Sequence, residues 1–575
     1  MKKSKKIFYL ILFFSIHQSI QLTAQYSKYI IQLKDKKGTL YTLSNPSAYL
    51  SSKAIERRNR QHLMIDSTDL PISNAYLDSI SSVPNVIIYN RSKWLNQVLI
   101  QTSDPAALVK INSFTFVKSS SAIAARVMPS NKVSATSKNK LEEESYSNSI
   151  AQNSYRVSGN LGTADVNYGS SFQQIHIHEG EYLHNKGFRG NGITIAVLDG
   201  GFNSYKTNPA FDSLRSQNRI LGEWDFVNRE SSVNEDDSHG SYCLSVIASN
   251  IPGTIVGSAT AARFWLFRTE DVYTEYPVEE QNWAAAAEMA DSVGADMIST
   301  SLGYSYFDDP AFDHNYQQRN GNTAISTIAA DYAAKKGMIV TVSAGNSGNS
   351  GNELKFVSCP ADADSVLTVG ATTMSGVIAG FSCWGPNAAG KVKPNIVSVG
   401  QGTICAAPDG SLVALNGTSL SNPNMAGLVA CLWQAFPEFT NMEIIDAIQK
   451  SSHKFNNPDD RYGYGIPNFR IAYGILEKER VIRNYSTVLG SQHLKAFPTI
   501  FSTTLNVLVN PTSTGSASIS MYDDNGRLIE KKSISVTSNQ VQLFNLNKAP
   551  LLPSGVYFLR YIGGNENQTI KVVKQ

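Results

Sequence analysis

The chain has 575 residues, 17% of them charged and 42% hydrophobic, with a formal net charge of +3. That length has room for about three domains. So small a net charge excludes a binder of nucleic acid or anionic membrane, and five cysteines, an odd count, exclude a fully paired disulfide scaffold.

Residues 1–24 read as a secretory signal. Lys2, Lys3, Lys5 and Lys6 precede an apolar run over 7–16, and Leu22-Thr23-Ala24 offers a cut before Gln25. The run is too short to span a bilayer and no later stretch could, so we expect an exported protein without a membrane span. Next come a strand at 29–33, a basic helix at 47–61, a helix at 73–81, strands at 85–90 and 93–102, a helix at 105–112 and a strand at 114–118. They imply a small open-sheet α+β unit over 25–118. Residues 119–171 read as a linker, rich in Ser, Ala, Asn and Lys as far as 158.

Residues 172–478 read as one large α/β domain. Apolar runs at 193–198 and 262–268 have the character of strands buried on both faces. A helix over 279–293 leads into a strand at 297–300, and a helix over 323–336 into a strand at 338–343. A strand at 365–371 and helices at 419–435 and 441–452 follow. This order implies right-handed crossovers and a doubly wound, mainly parallel sheet, with working residues at the carboxyl ends of its strands. Cys243 and Cys431 fall on predicted buried helices as inert core thiols, while Cys359 and Cys383 are candidates for a pair that leaves Cys405 over. From 490 to 575 short alternating strands take over, with hairpin signals at Asp523-Asp524-Asn525-Gly526 and Gly563-Gly564-Asn565, and a β-sandwich is expected.

Four stretches carry chemistry. In Asn416-Gly417-Thr418-Ser419 a glycine turn presents a serine at a helix start; on this stretch alone Ser419 is either an N-cap or a nucleophile. Asp199 closes the strand at 193–198, His239 opens a helix, and Asn346 follows the strand at 338–343. Each alone has a structural explanation as a cap, a turn or a loop residue. Together they supply what acyl transfer needs: a nucleophile, a base, a carboxylate to fix the base's tautomer, and a donor for the oxyanion. The chain order Asp, His, Ser is one of the three orders such triads are known to take. His176, His178, Glu179 and His184 could be drawn as a metal cluster, but their spacing fits no closed site and structural roles are expected. No cofactor is required, and no loop has the oxygen ligands to assign calcium.

These stretches resemble the subtilases, the subtilisin-like serine peptidases. The words that match are Ile195-Ala196-Val197-Leu198-Asp199-Gly200-Gly201, His239-Gly240-Ser241, Ser299-Thr300-Ser301-Leu302-Gly303, Ser343-Ala344-Gly345-Asn346 and Asn416-Gly417-Thr418-Ser419. The resemblance implies that Asp199 orients His239, that His239 is base then acid, that Ser419 attacks, and that Asn346 helps hold the oxyanion. It implies that Ser301, Leu302 and Gly303 pair with substrate backbone, with Gly345 and Gly417 beside it. Gly200, Leu420 and Asn424 depart from common family residues without removing a proton-transfer group, and the uncharged Ser347 gives no reason to expect a basic P1 residue. Residues 25–118 resemble a subtilase propeptide, which implies an inhibitor of its own domain. Residues 490–575 resemble sorting domains of the type IX secretion system, which implies the secretion machinery as partner and an extracellular or cell-surface location. The expectation is a secreted serine endopeptidase acting on protein or peptide substrates; a silent subtilase-like binding protein and a serine esterase stay open beside it.

Overall fold

The computed structural model describes residues 26–125, 166–234, 237–489, 492–546 and 548–575. The signal segment 1–24 and residues 126–165 of the expected linker lie outside them. The chain divides into two compact units between Ala472 and Tyr473.

In the first unit a four-stranded antiparallel sheet is built from β1 (Tyr26–Leu33), β2 (Ile87–Ser92), β3 (Gln97–Gln101) and β4 (Val117–Ala125), in the order β2-β3-β1-β4. Helices α1 (Ser52–Arg60), α2 (Asn74–Ser81) and α3 (Pro105–Asn112) accompany it. α1 begins where the Ser51 side chain accepts from Ala54 N, and α3 where Asp104 accepts from Ala106 N with Pro105 at N1. Strand β4 corrects the linker reading, because residues 119–125 pair with β1 despite their Ser and Ala content. Ile123 and Ala124 are buried against Val278 and Ile325 of the following domain.

That domain holds a seven-stranded parallel sheet. Its strands are β5 (Thr194–Asp199), β6 (Ile220–Asp225), β7 (Arg263–Arg268), β8 (Met297–Thr300), β9 (Ile339–Ser343), β10 (Leu367–Thr372) and β11 (Ile396–Val399). The order is β11-β10-β9-β8-β5-β7-β6, and every neighbouring pair is parallel. The sequence reading missed β6 and β11. Successive side chains on a strand face opposite ways. Ala196, Leu198, Ile298, Val340 and Val342 share one core with the alanine-rich helices α5 (Val278–Val293) and α6 (Ile325–Lys335). Asp199 points the other way, toward α4 (His239–Ala248), which packs on α7 (Thr418–Ala435). Helix α8 (Asn441–Lys450) starts with a Thr440–Glu443 capping box. Helix α9 (Phe469–Leu489) runs past the boundary expected at 478.

The second unit is a β-sandwich. A three-stranded sheet of Leu494–Phe497, Asn506–Val509 and Gln542–Asn545 contributes Leu494, Val507 and Val509 to one apolar core. A five-stranded sheet contributes Ile519, Leu559, Tyr561 and Val572. Both expected hairpins are present: Gly515–Asp523 pairs with Leu528–Val536, and Gly555–Gly563 with Glu566–Lys574. Among the described residues no helix is long and apolar enough to cross a membrane.

Candidate active site

Asp199 is the last residue of β5 and fully buried. Its Oδ1 accepts from His239 Nδ1 at 2.6 Å and from Gly200 N at 2.8 Å, while Oδ2 is buried without a partner among the described residues. His239 is the first residue of α4, whose start is held where Asp237 Oδ1 accepts from His239 N at 2.8 Å. The helix can come this close to the loop after β5 because of Gly240. A Cβ there would stand 2.4 Å from the carbonyl oxygen of Gly201. Burial alone would lower the pKa of the His239 imidazole, but the Asp199 carboxylate outweighs it and holds the ring well above its ordinary value.

Ser419 is the second residue of α7 and 6% exposed. Its Oγ leans on the Ser301 carbonyl at 3.5 Å, and no hydrogen bond joins it to His239 among the described residues. Catalytic hydrogen bonds are commonly long before substrate arrives. Pro423 lies inside the helix, in its second turn. With no N–H, it cannot donate to the carbonyl four residues earlier, which is that of Ser419. That carbonyl instead accepts from Ser301 Oγ at 2.8 Å and from Cys243 Sγ at 3.3 Å. The same Cys243 sulfur lies 3.8 and 3.9 Å from the two ring nitrogens of His239, so one thiol touches both the imidazole and the serine's backbone. Cys243 is buried as expected, but it is more than core filling.

Asn346 follows β9 by three residues, and its Oδ1 accepts from both Thr418 N and Thr418 Oγ1 at 2.8 Å. This turns the amide so that Nδ2 faces Gly417. A Cβ on Gly417 would meet Asn346 Nδ2 at 3.6 Å, Ser419 N at 3.6 Å and Ser419 Cβ at 3.7 Å. Glycine therefore leaves open a space on which two donors and the serine side chain converge. Gly345, at φ 105°, donates from its N–H to Thr418 Oγ1 at 3.1 Å. Ser301, Leu302 and Gly303 run on from β8; Ser301 and Leu302 are buried, Gly303 is exposed, and the next residue, Tyr304, pairs with Cys359. Asn422 ties the two segments together, its Nδ2 donating to Thr300 O at 3.0 Å and to Ser299 Oγ at 3.2 Å.

Thr418, Cys243 and Asn422 were not singled out from the sequence as site residues. Only Thr418 carried a signal, by its place in the glycine turn. The histidine cluster does not assemble. His178 sits between the Pro467 carbonyl and Ser398 Oγ, His184 between Tyr168 Oη and the Ser258 carbonyl, and His176 beside Glu181. All five cysteines are free and buried, so the expected Cys359–Cys383 pair is not formed.

Residues 190–465 match the model of the subtilase family, residues 28–142 that of the peptidase S8 propeptide domain of Bacteroidota, and residues 495–575 that of the secretion system C-terminal sorting domain. Subtilisin E of Bacillus subtilis is 28% identical over 293 residues, which is 50% of this chain and 68% of that one. Subtilisin of Bacillus pumilus is 27% identical over 296 residues, 50% of this chain and 94% of that one. The crystal structure of MycP1 from Mycobacterium smegmatis is 22% identical, with a TM-score of 0.42, over 58% of this chain and 90% of that one.

Proposed function

From the premise that the chain carries a subtilase domain between a propeptide domain and a sorting domain, and so is a secreted or cell-surface serine endopeptidase, we propose that Ser419, His239 and Asp199 form its proton relay. His239 Nε2 takes the Ser419 proton as Oγ attacks the scissile carbonyl. Asp199 fixes the tautomer from Nδ1 and stabilises the imidazolium that forms. The oxyanion is met by Asn346 Nδ2 and the Ser419 N–H. His239 then protonates the leaving amine, and water repeats the sequence on the acyl-enzyme. Ser301, Leu302 and Gly303 pair with the extended substrate by strand addition, and Gly345 and Gly417 keep its path clear.

The observation that supports this most is the 2.6 Å hydrogen bond from His239 to Asp199, on a helix packed against the one that presents Ser419. A fluorophosphonate probe tests it: after loss of the N-terminal domain it labels the wild type and not Ser419→Ala. The rival is a silent subtilase-like binding protein, for which Ser419 Oγ resting on Ser301 speaks; it predicts no labelling of either. An esterase would turn over short-acyl esters and leave casein intact.

We read residues 1–24 as signal, 25–118 as the propeptide core, 119–171 as the segment in which the mature chain begins, and 490–575 as the sorting domain. Because β4 runs to Ala125, the N-terminal cut belongs beyond it. A C-terminal cut near Ile482 would fall within α9, so we place it after Leu489. Sequencing both ends of the protein recovered from culture checks this reading, and an intact full-length product would contradict it.

A further inference from the structure

Beside the apolar contact of Ile123 and Ala124 with Val278 and Ile325, the N-terminal domain meets the subtilase domain through buried charge. Arg57 of α1 is 2% exposed. Its guanidinium donates from Nε to the Lys336 carbonyl at 3.1 Å, from Nη1 to the Ala295 carbonyl, and from Nη2 to the Asp291 carboxylate, with the Asp291 carbonyl at 3.4 Å. These acceptors share one structural origin. α5 ends at Val293 and is capped by Gly294 in the left-handed conformation, and α6 ends at Lys335 with Lys336 as its cap. All three carbonyls therefore belong to the last turns or exits of two helices, where the backbone offers unpaired acceptors and about half a negative charge per helix. The Asp291 carboxylate adds a full charge, and its second oxygen takes Arg58 Nη2 at 2.8 Å.

The two helix exits are also cut back to bare backbone where α1 lies on them. A Cβ on Gly294, at φ 87°, would stand 2.5 Å from Lys53 Cβ and 3.0 Å from Ala54 N. One on Gly337, at φ 88°, would stand 2.7 Å from Gln61 Nε2. Gln61 closes the contact, donating to the Gly337 carbonyl at 2.7 Å and accepting from Asn441 N at 2.9 Å. Lys336 returns the exchange, its Nζ reaching Asp69 Oδ2 at 2.8 Å and Thr68 Oγ1 at 2.7 Å in the N-terminal domain.

We propose that the paired C-terminal ends of α5 and α6 form a guanidinium-binding socket on the subtilase domain, and that Arg57 is the plug that keeps the propeptide bound after the chain between them is cut. The proposal rests on the reading of the N-terminal domain as a propeptide. A lysine does not replace this plug. Its ammonium is a point charge, whereas the planar fork reaches carbonyls on two helices and a carboxylate at once.

The test uses the full chain carrying Ser419→Ala and a site-specific protease recognition sequence inserted between Glu144 and Ser145, so that the cut is supplied from outside. After cutting and dilution, release of the N-terminal segment is followed by rapid gel filtration. Loss of the charge-assisted contacts in Arg57→Lys is expected to speed release about 100-fold, whereas Arg60→Ala, which removes a longer pair to Asp296 (3.3 Å) from a side chain 26% exposed, changes it by less than about fivefold. Guanidinium chloride below its unfolding range should speed release of the wild-type segment several-fold more than sodium chloride at equal ionic strength, and Arg57→Lys should erase that excess. Release of Arg57→Lys within about threefold of wild type, or equal action of the two salts, overturns the socket. The salt comparison is read on a chain with Arg57 intact, so it decides the matter even if the variant fails to fold. Failure of the propeptide reading shows separately, as an unmodified chain that hydrolyses substrate with its N-terminal domain still attached.

Discussion

Gly417→Ala puts the oxyanion assignment to its sharpest test. The added methyl carbon would sit 3.6 Å from both Asn346 Nδ2 and Ser419 N. An oxyanion held by those donors needs to lie about 2.7–3.1 Å from each. Methyl and oxygen therefore compete for one space, although nothing in the resting site clashes with the methyl. Losing a single such donor costs about 100- to 1000-fold in kcat, so blocking access to both is expected to lower kcat by about 1000-fold or more. The backbone adds a separate cost. At φ 157° and ψ 144° Gly417 occupies a region that side chains avoid, worth about 1–3 kcal/mol. That is affordable for a domain stable by about 5–15 kcal/mol. The variant should thus fold, with a urea midpoint only modestly lowered, while kcat on a chromogenic peptide collapses and KM changes little. Asn346→Ala serves as the reference, at about 100- to 1000-fold. A folded Gly417→Ala enzyme with kcat within about tenfold of wild type would mean that the oxyanion forms elsewhere, and the assignment of Asn346 would fall with it.

The proposed base must be neutral to act, and although burial opposes it, Asp199 holds the His239 pKa above its ordinary value; kcat/KM should therefore rise with pH along a limb above about 6.5. Asp199→Asn should move that limb to lower pH and cut kcat about 10⁴-fold, both read from pH–rate profiles. The contribution of this pair to stability runs the other way: it is complete below about 6.5 and is lost as pH rises through the folded-state pKa. His178 and His184 behave oppositely to His239. Burial pushes each down to about 4, so the fold keeps them neutral and unfolding lets them charge. Stability should be complete above about 6.5 and fall by about 3 kcal/mol per histidine as pH drops to 4, and His178→Gln should halve that slope in urea titrations. The five thiols, all buried and free, should resist a thiol reagent in the native protein and give five equivalents after unfolding, with no mobility change on reduction.

The parts of the site that were legible in the sequence are those written locally. Asp199 at the end of an apolar run, His239 beside Gly240, Asn346 between glycines and Ser419 after Gly417 each combine a chemical group with the backbone freedom that places it. What could not be read depends on distant partners. The Ser419 carbonyl is orphaned by Pro423 four residues on, but the groups that satisfy it lie 118 and 176 residues away in sequence, in Ser301 and Cys243. Strand β4 was hidden for a related reason. Its Ser and Ala content has little strand preference of its own, and it forms because β1 offers an edge and Ile123 finds a pocket on the next domain. β6, an edge strand with Glu223 and Asp225 among its six residues, lacks the apolar run that betrays the buried strands.

Arg57 and Arg58 show the same limit and what can be drawn from it. Three arginines in four residues make α1 a basic helix in the sequence, yet two of them are 2% and 1% exposed. Removing an ion from water costs several kcal/mol, so burial of this kind requires a partner that the local sequence does not contain. Here the partner is Asp291, more than 230 positions later. Such a pair adds little net strength over an apolar contact of equal size, and so its value lies elsewhere. An apolar interface, once opened, would leave both surfaces exposed and prone to association. Arg57, Asp291 and Lys336 simply regain water. The charged part of this contact, beside the apolar part that Ile123 and Ala124 make with Val278 and Ile325, therefore suits a propeptide that has to fit only one surface and then leave it soluble.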